Sequence, residues 1–140
     1  MDRQRRFELL VSVPVVDAQR LAEWVMDGSL GDAAVIVPPT VGMVMARATD
    51  GARGQRFNLA EVLVTEARVS LGGHEGWGMV MGRAPEHALA VALVDAGLEA
   101  GHASRGAIER DLTGVSQTTA ARLAAEWAQL APTKVDFDNF

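Results

Sequence analysis

The stretch Val62–Gly82, VLVTEARVSLGGHEGWGMVMG, decides the fold. Val62 to Leu71 is the longest strand candidate, rich in β-branched residues. Val62 and Val64 share one parity, whereas Ala67, Val69 and Leu71 keep the other. A bulge near Thr65-Glu66 would restore a single inward face. Gly72-Gly73-His74-Glu75-Gly76 reads as a tight connection, and Trp77 to Gly82 returns as the partner strand. Trp77, Met79 and Met81 line one face of it. Gly76, Gly78 and Gly82 mark places where a backbone comes close or turns sharply. Two strands joined so briefly run antiparallel.

Upstream, Ala33–Val37 is a short apolar run that Pro38-Pro39 bars from continuing as a central strand. Val41–Ala48 makes a further strand, with Thr49-Asp50-Gly51 as its turn, and Gln55–Leu59 another. The flanks change period. Phe7, Leu10 and Val11 fall on one face of a helix over 3–13, which Pro14 ends. Asp17 is a candidate N-cap for a second helix carrying Leu21, Trp24 and Val25. Ala84-Pro85-Glu86 opens a helix to about Ala100 that is apolar on most sides, as in helices buried against a sheet. A short helix over 107–112 is expected next. Ser116 or Thr118 then caps a longer one to Leu130, striped by Leu123, Trp127 and Leu130. The expected class is α+β: an antiparallel sheet of about four to five strands flanked by N-terminal and C-terminal helices, as one domain over 1–140.

Composition narrows the function. The 140 residues carry a net charge of -5, which argues against gripping nucleic acid or an anionic membrane surface. There is no cysteine, hence no disulfide, thiolate metal site, iron–sulfur cluster or Cys nucleophile on this chain. The run after Arg6 is broken by Glu8 and Pro14, unlike a signal peptide, and no stretch reaches the roughly 18 apolar residues of a membrane span. The expectation is a soluble, cytoplasmic protein.

Motifs of known chemistry are missing. No phosphate loop or nucleophile elbow occurs, and the glycines of 73–78 lie between two strands rather than between a strand and a helix. His74, His87 and His102 have no metal-ligand spacing, so no metal site is expected. One local arrangement can bind an anion: Gly82-Arg83-Ala84-Pro85-Glu86-His87 joins a strand end to a helix start. Open N–H groups there favour negative charge, with Arg83 and His87 as added donors. The plainer alternative has Arg83 paired with Glu86 or another acid. Asp95 lies within the most apolar helix. It either occupies a thin exposed stripe, the cheaper arrangement, or is paired internally. Trp77 and the tail residues Phe137 and Phe140 are candidates for contact with another chain, because one small core cannot cover every apolar side chain present.

Several of these residues together resemble the PhnG family, the small subunits of bacterial carbon–phosphorus lyase core complexes. Gly54, Arg56 and Phe57 are followed by Val69, Leu71, Gly76, Gly78, Gly82 and Arg83. His87, Ala88, Ala92, Leu93, Asp95 and Ala96 then keep the family's spacing, and Lys134–Phe137 is similar to its ending. The sequence departs from the pattern at Ala84, where Asp is common and could cap the following helix.

The resemblance implies work in phosphonate use. With PhnH-, PhnI- and PhnJ-like partners, the family makes α-D-ribose 1-methylphosphonate 5-triphosphate from ATP and methylphosphonate, displacing adenine. It further implies that the nucleosidase-like activity and the iron–sulfur radical chemistry belong to partners, with no cofactor on this chain. Two other roles stay open: a purely structural scaffold subunit, or a stand-alone dimer that binds a small anion at 82–87.

Overall fold

The computed structural model describes residues 1–49, 54 and 56–130. The Asp50-Gly51 turn signal, Gln55 and the tail with Phe137 and Phe140 lie outside the described residues. Helices α1 (Arg3–Ser12) and α2 (Val15–Val25) come first. Strands β1 (Ala34–Thr49), β2 (Arg56–Leu71) and β3 (His74–Met81) follow, then helices α3 (Pro85–Glu99) and α4 (Arg105–Leu130). The class is α+β with an antiparallel sheet, in the order β1-β2-β3.

The sheet holds three strands rather than four or five, because two expected breaks do not occur. β1 runs through Pro38-Pro39 as one strand of 16 residues. It can do so because it is an edge strand, where a proline need not donate to a second neighbour. Its register against β2 shifts between Val35 and Val37 and again between Val37 and Thr40. A third shift lies between Ala46 and Arg47, and none falls at Thr65-Glu66 of β2. Against β3, β2 keeps one register from Val64↔Met81 to Leu71↔His74. Thr65, Ala67, Val69 and Leu71 are buried on the core side. Val64 lies on the other face, beside Val44 and Met79, where β3 ends. β2 likewise absorbs the segment expected as a separate strand near 55–59.

The β2–β3 connection is only Gly72-Gly73, with φ of +59° and +79°. Two successive positive φ values are what a two-residue hairpin turn demands, and glycine meets them without Cβ strain. β3 accordingly starts at His74, earlier than Trp77.

The Trp77–Met79–Met81 face is not the core face of β3. Gly76, Gly78 and Val80 are buried, Trp77 and Met79 are half-buried, and Met81 is 77% exposed. Helix α3 explains the choice. A Cβ on Gly76 would collide with the Ala92 carbonyl and the Ala96 amide, and one on Gly78 with the Ala88 carbonyl. The glycine pair is the seat on which Ala88, Ala92 and Ala96, one α3 stripe, lie against the strand. The other sides of α3 meet β2, α2 and α1. Leu10, Leu21 and Val25 join its Val91, Val94 and Leu98 in the core.

Local signals set the helix ends. The Asp2 carboxylate accepts the Arg5 N–H at 2.7 Å and caps α1. Pro14, not Asp17, stands at the N-cap of α2, and Asp17 falls within the first turn. Gly101 follows α3 with φ of +76°, as a left-handed stop. Instead of a short helix and a capped second one, α4 is continuous over 26 residues. The Thr118 hydroxyl donates back to the Gly114 carbonyl at 3.0 Å, as side chains do inside a helix, so it is no cap. Only Ile108 and Leu112 of α4 are buried, and residues 120–130 are exposed throughout.

Candidate functional site

The strand-to-helix turn at 82–87 is built around a buried hydroxyl. Thr65, fully buried on β2, donates to the Gly82 carbonyl at 2.6 Å and accepts the Ala84 N–H at 2.9 Å. Ala84 is the N-cap of α3 and brings no side-chain cap. Thr65 thus fixes the backbone on both sides of the turn, whereas the N–H groups of Glu86 and His87, which a capping Asp at position 84 would take, have no side-chain cap among the described residues. Arg83 is exposed and forms no ion pair or hydrogen bond among the described residues, with Glu86 or otherwise. The His87 Nε2 lies 2.9 Å from the Leu10 carbonyl. A carbonyl can only accept, so this nitrogen carries the proton and ties α3 to the end of α1. The turn therefore presents one free guanidinium to solvent, while His87 is engaged with α1.

A second cluster lies at the β3 edge. Asp95 is 4% exposed and sits among donors from two other elements. Arg3 donates to it through Nε at 3.1 Å and Nη2 at 2.8 Å. Arg6 Nη2 donates at 2.6 Å, and the Trp77 backbone N–H at 3.0 Å. Arg6 Nη2 also reaches Glu99 at 2.7 Å. Asp95 is paired internally and does not occupy an exposed stripe. Burial pushes its carboxyl upward, but the donors of Arg3, Arg6 and Trp77 outweigh this and hold it below the usual carboxylate range. The Arg6 hydrogen bond likewise lowers Glu99. Arg6 is fully buried, and its Nε and Nη1 find no partner among the described residues.

Sequence reasoning singled out Asp95 but missed Arg3, Arg6 and Glu99. The signal was present: Asp95 and Glu99 stand four apart on α3, and Arg3 and Arg6 three apart on α1. These spacings put both acids on one helix face and both cations on another.

Beside this cluster a cleft of about 810 Å³ opens between α1 and β3. Arg3, Phe7, Arg68, His74 and Trp77 line it. The Phe7 and Trp77 rings stack with centroids 5.0 Å apart and planes 10° apart. The indole Nε1 donates to Glu66 at 2.9 Å, so Trp77 is held on three sides. Among the described residues no group of three His, Asp or Glu is arranged to hold a metal, and no helix is long and apolar enough to cross a membrane.

The order of elements, the glycine seat on β3 and the buried Asp95 coincide with the positions that carried the family resemblance. Comparison of the sequence with known families matches residues 1–140 to the one described as phosphonate metabolism protein PhnG. The chain belongs to the PhnG family. A relative from Rhizobium meliloti (strain 1021), named alpha-D-ribose 1-methylphosphonate 5-triphosphate synthase subunit PhnG, is 36% identical over 104 residues. The match covers 71% of this chain and 64% of the relative, so it spans less than two thirds of that protein's length. Within this PhnG-family fold, Gly76 and Gly78 serve helix packing, and Asp95 joins α1, α3 and β3.

Proposed function

We propose that this chain is an accessory subunit of a carbon–phosphorus lyase core complex. It acts with PhnH-, PhnI- and PhnJ-like chains that together form α-D-ribose 1-methylphosphonate 5-triphosphate from ATP and methylphosphonate, releasing adenine. The observation that carries this reading is the family match over residues 1–140, together with the relative's name as a synthase subunit. Two features of the molecule support a dependent role. Asp95, its best-buried carboxylate, is engaged by Arg3, Arg6 and the Trp77 amide, so it serves packing. Met43, Met81 and Trp127 expose more than half their surface, an apolar burden suited to contact with other chains. In this role Arg83 receives an anionic group, a phosphate or a partner's carboxylate, at the start of α3.

The test is adenine release from ATP and methylphosphonate. The purified chain alone should release none, and adding it to the partner chains should restore release. Saturable release by the chain alone, or full activity of the partners without it, would overturn the proposal.

A further inference from the structure

The two edges of the sheet are treated differently. Along β3, α1 and α3 supply stand-ins for a neighbouring strand: Asp95 takes the Trp77 N–H at 3.0 Å, and Arg3 donates to the Glu75 carbonyl at 3.1 Å. Along β1, the first half carries Pro38-Pro39 and two register shifts, which spoil it as a template for pairing. Between these and a third register shift at Ala46/Arg47, the stretch Val41 to Met45 has no such guard. From Val41↔Thr65 to Met45↔Glu61 the ladder against β2 is regular, and among the described residues β1 has no neighbour on its other side. No charged residue occurs between Ala33 and Ala46. Val41, Met43, Val44 and Met45 are 37%, 59%, 39% and 43% exposed. β3 ends opposite Val64, so from Met43 onward β1 and β2 form a two-stranded ribbon. Such a ribbon is marginal alone, and a third strand would stabilise it.

We infer that the outer edge of β1 from Val41 to Met45 receives an extended, apolar strand from a different subunit, one that brings a carboxylate to Arg47. Backbone groups on an open edge select an extended peptide, and alternate apolar side chains would cover the exposed methionines and valines. Arg47 is exposed at the end of the stretch and has no ion pair among the described residues. It marks the position of the acid. A second copy of this chain does not fit. Antiparallel self-pairing centred on Met43 sets Arg47 opposite Pro39, and residues 33–46 contain no acid to meet it. The inference rests on the proposed role as a subunit.

The experiment uses the full chain, alone and co-expressed with the PhnH-, PhnI- and PhnJ-like subunits. Amide hydrogen exchange is read peptide by peptide in both samples. Assembly should slow exchange over residues 41–45 at least tenfold. Met43→Lys, which places on the edge the charge that natural edges use as a guard, should reduce recovery with the partners at least tenfold while leaving the circular dichroism spectrum of the free chain unchanged. Arg47→Glu should weaken assembly in the same direction. A complex that forms with unchanged exchange at 41–45 overturns the inference and leaves the subunit role standing. A chain that recovers with no partner overturns both. Self-association of the free chain with protection at 41–45 overturns it in favour of a second copy.

Discussion

The Asp95 carboxylate accepts the backbone N–H of Trp77 at 3.0 Å while also receiving the Arg6 guanidinium at 2.6 Å. One side chain of α3 thereby closes the edge of the sheet and holds α1 against it. Asp95→Ala would leave Arg6, fully buried, with Glu99 alone, and would reopen the edge at Trp77. Removing one member of a buried pair costs about 3–5 kcal/mol. Urea denaturation should show a loss of that order in Asp95→Ala. A change below about 1 kcal/mol would mean that the cluster contributes little.

The glycine seat gives a sharper contrast. Gly76→Ala places a methyl against the backbone of α3 at Ala92 and Ala96. Overpacking costs about 1–3 kcal/mol, and here the obstacle is a main chain that cannot rotate away. Gly114, inside α4, has nothing within 4 Å of a built Cβ. Gly114→Ala should stabilise by up to about 1 kcal/mol through helix propensity. Thermal melting of the two variants should move in opposite directions.

Acid should unfold the protein through the same cluster. Asp95 and Glu99 are held below their ordinary values of 3.8 and 4.5. A lowered folded pKa means that the unfolded chain binds protons more readily. The stabilisation is complete above the ordinary values and declines as pH falls through and below them. The melting temperature should be flat from pH 7 to about 5 and fall below about pH 4. In Asp95→Asn the acid-side fall should be shallower.

Arg83 separates recognition from stability. It is exposed and unpaired among the described residues, so Arg83→Ala should leave the denaturation midpoint unchanged. If an anion is held there, the assembled complex should lose about tenfold or more in activity or affinity, the scale of a charged hydrogen bond. An unaffected complex would assign Arg83 to solvent.

The α+β class was legible because the strand and helix periods are clean in Val62–Gly82 and in 84–100. The strand count was not. Pro38-Pro39 reads as a terminator unless the strand is known to be an edge, and edges are fixed by tertiary order. Which face of β3 meets the core was hidden for a similar reason: α3 needs the glycine face, and Trp77 and Met79, apolar by residue type, lie half-buried on the other. At the candidate site, Arg83 and His87 do lie at one turn, but only the fold shows His87 drawn to Leu10. Local spacing puts Arg3 with Arg6 and Asp95 with Glu99, but that the two faces meet across about 90 positions is fixed only by the fold. Phe137 and Phe140 fall outside the described residues.

The exposed last third of α4 has a consequence for proteolysis. Residues 120–129 are exposed throughout, and among the described residues they pack on nothing of the core, so a helix end of that length is marginal in water. It should therefore open far more often than the α3 core, and cleavage follows local opening. Arg122 is the one basic residue in that stretch. Brief trypsin treatment of the free chain should cut after Arg122 before any site in α1 to α3. It should leave a body that melts as before, because the core ends at Leu112. Protection of Arg122 in an assembled complex would then report, from a gel band alone, that another chain lies along this helix.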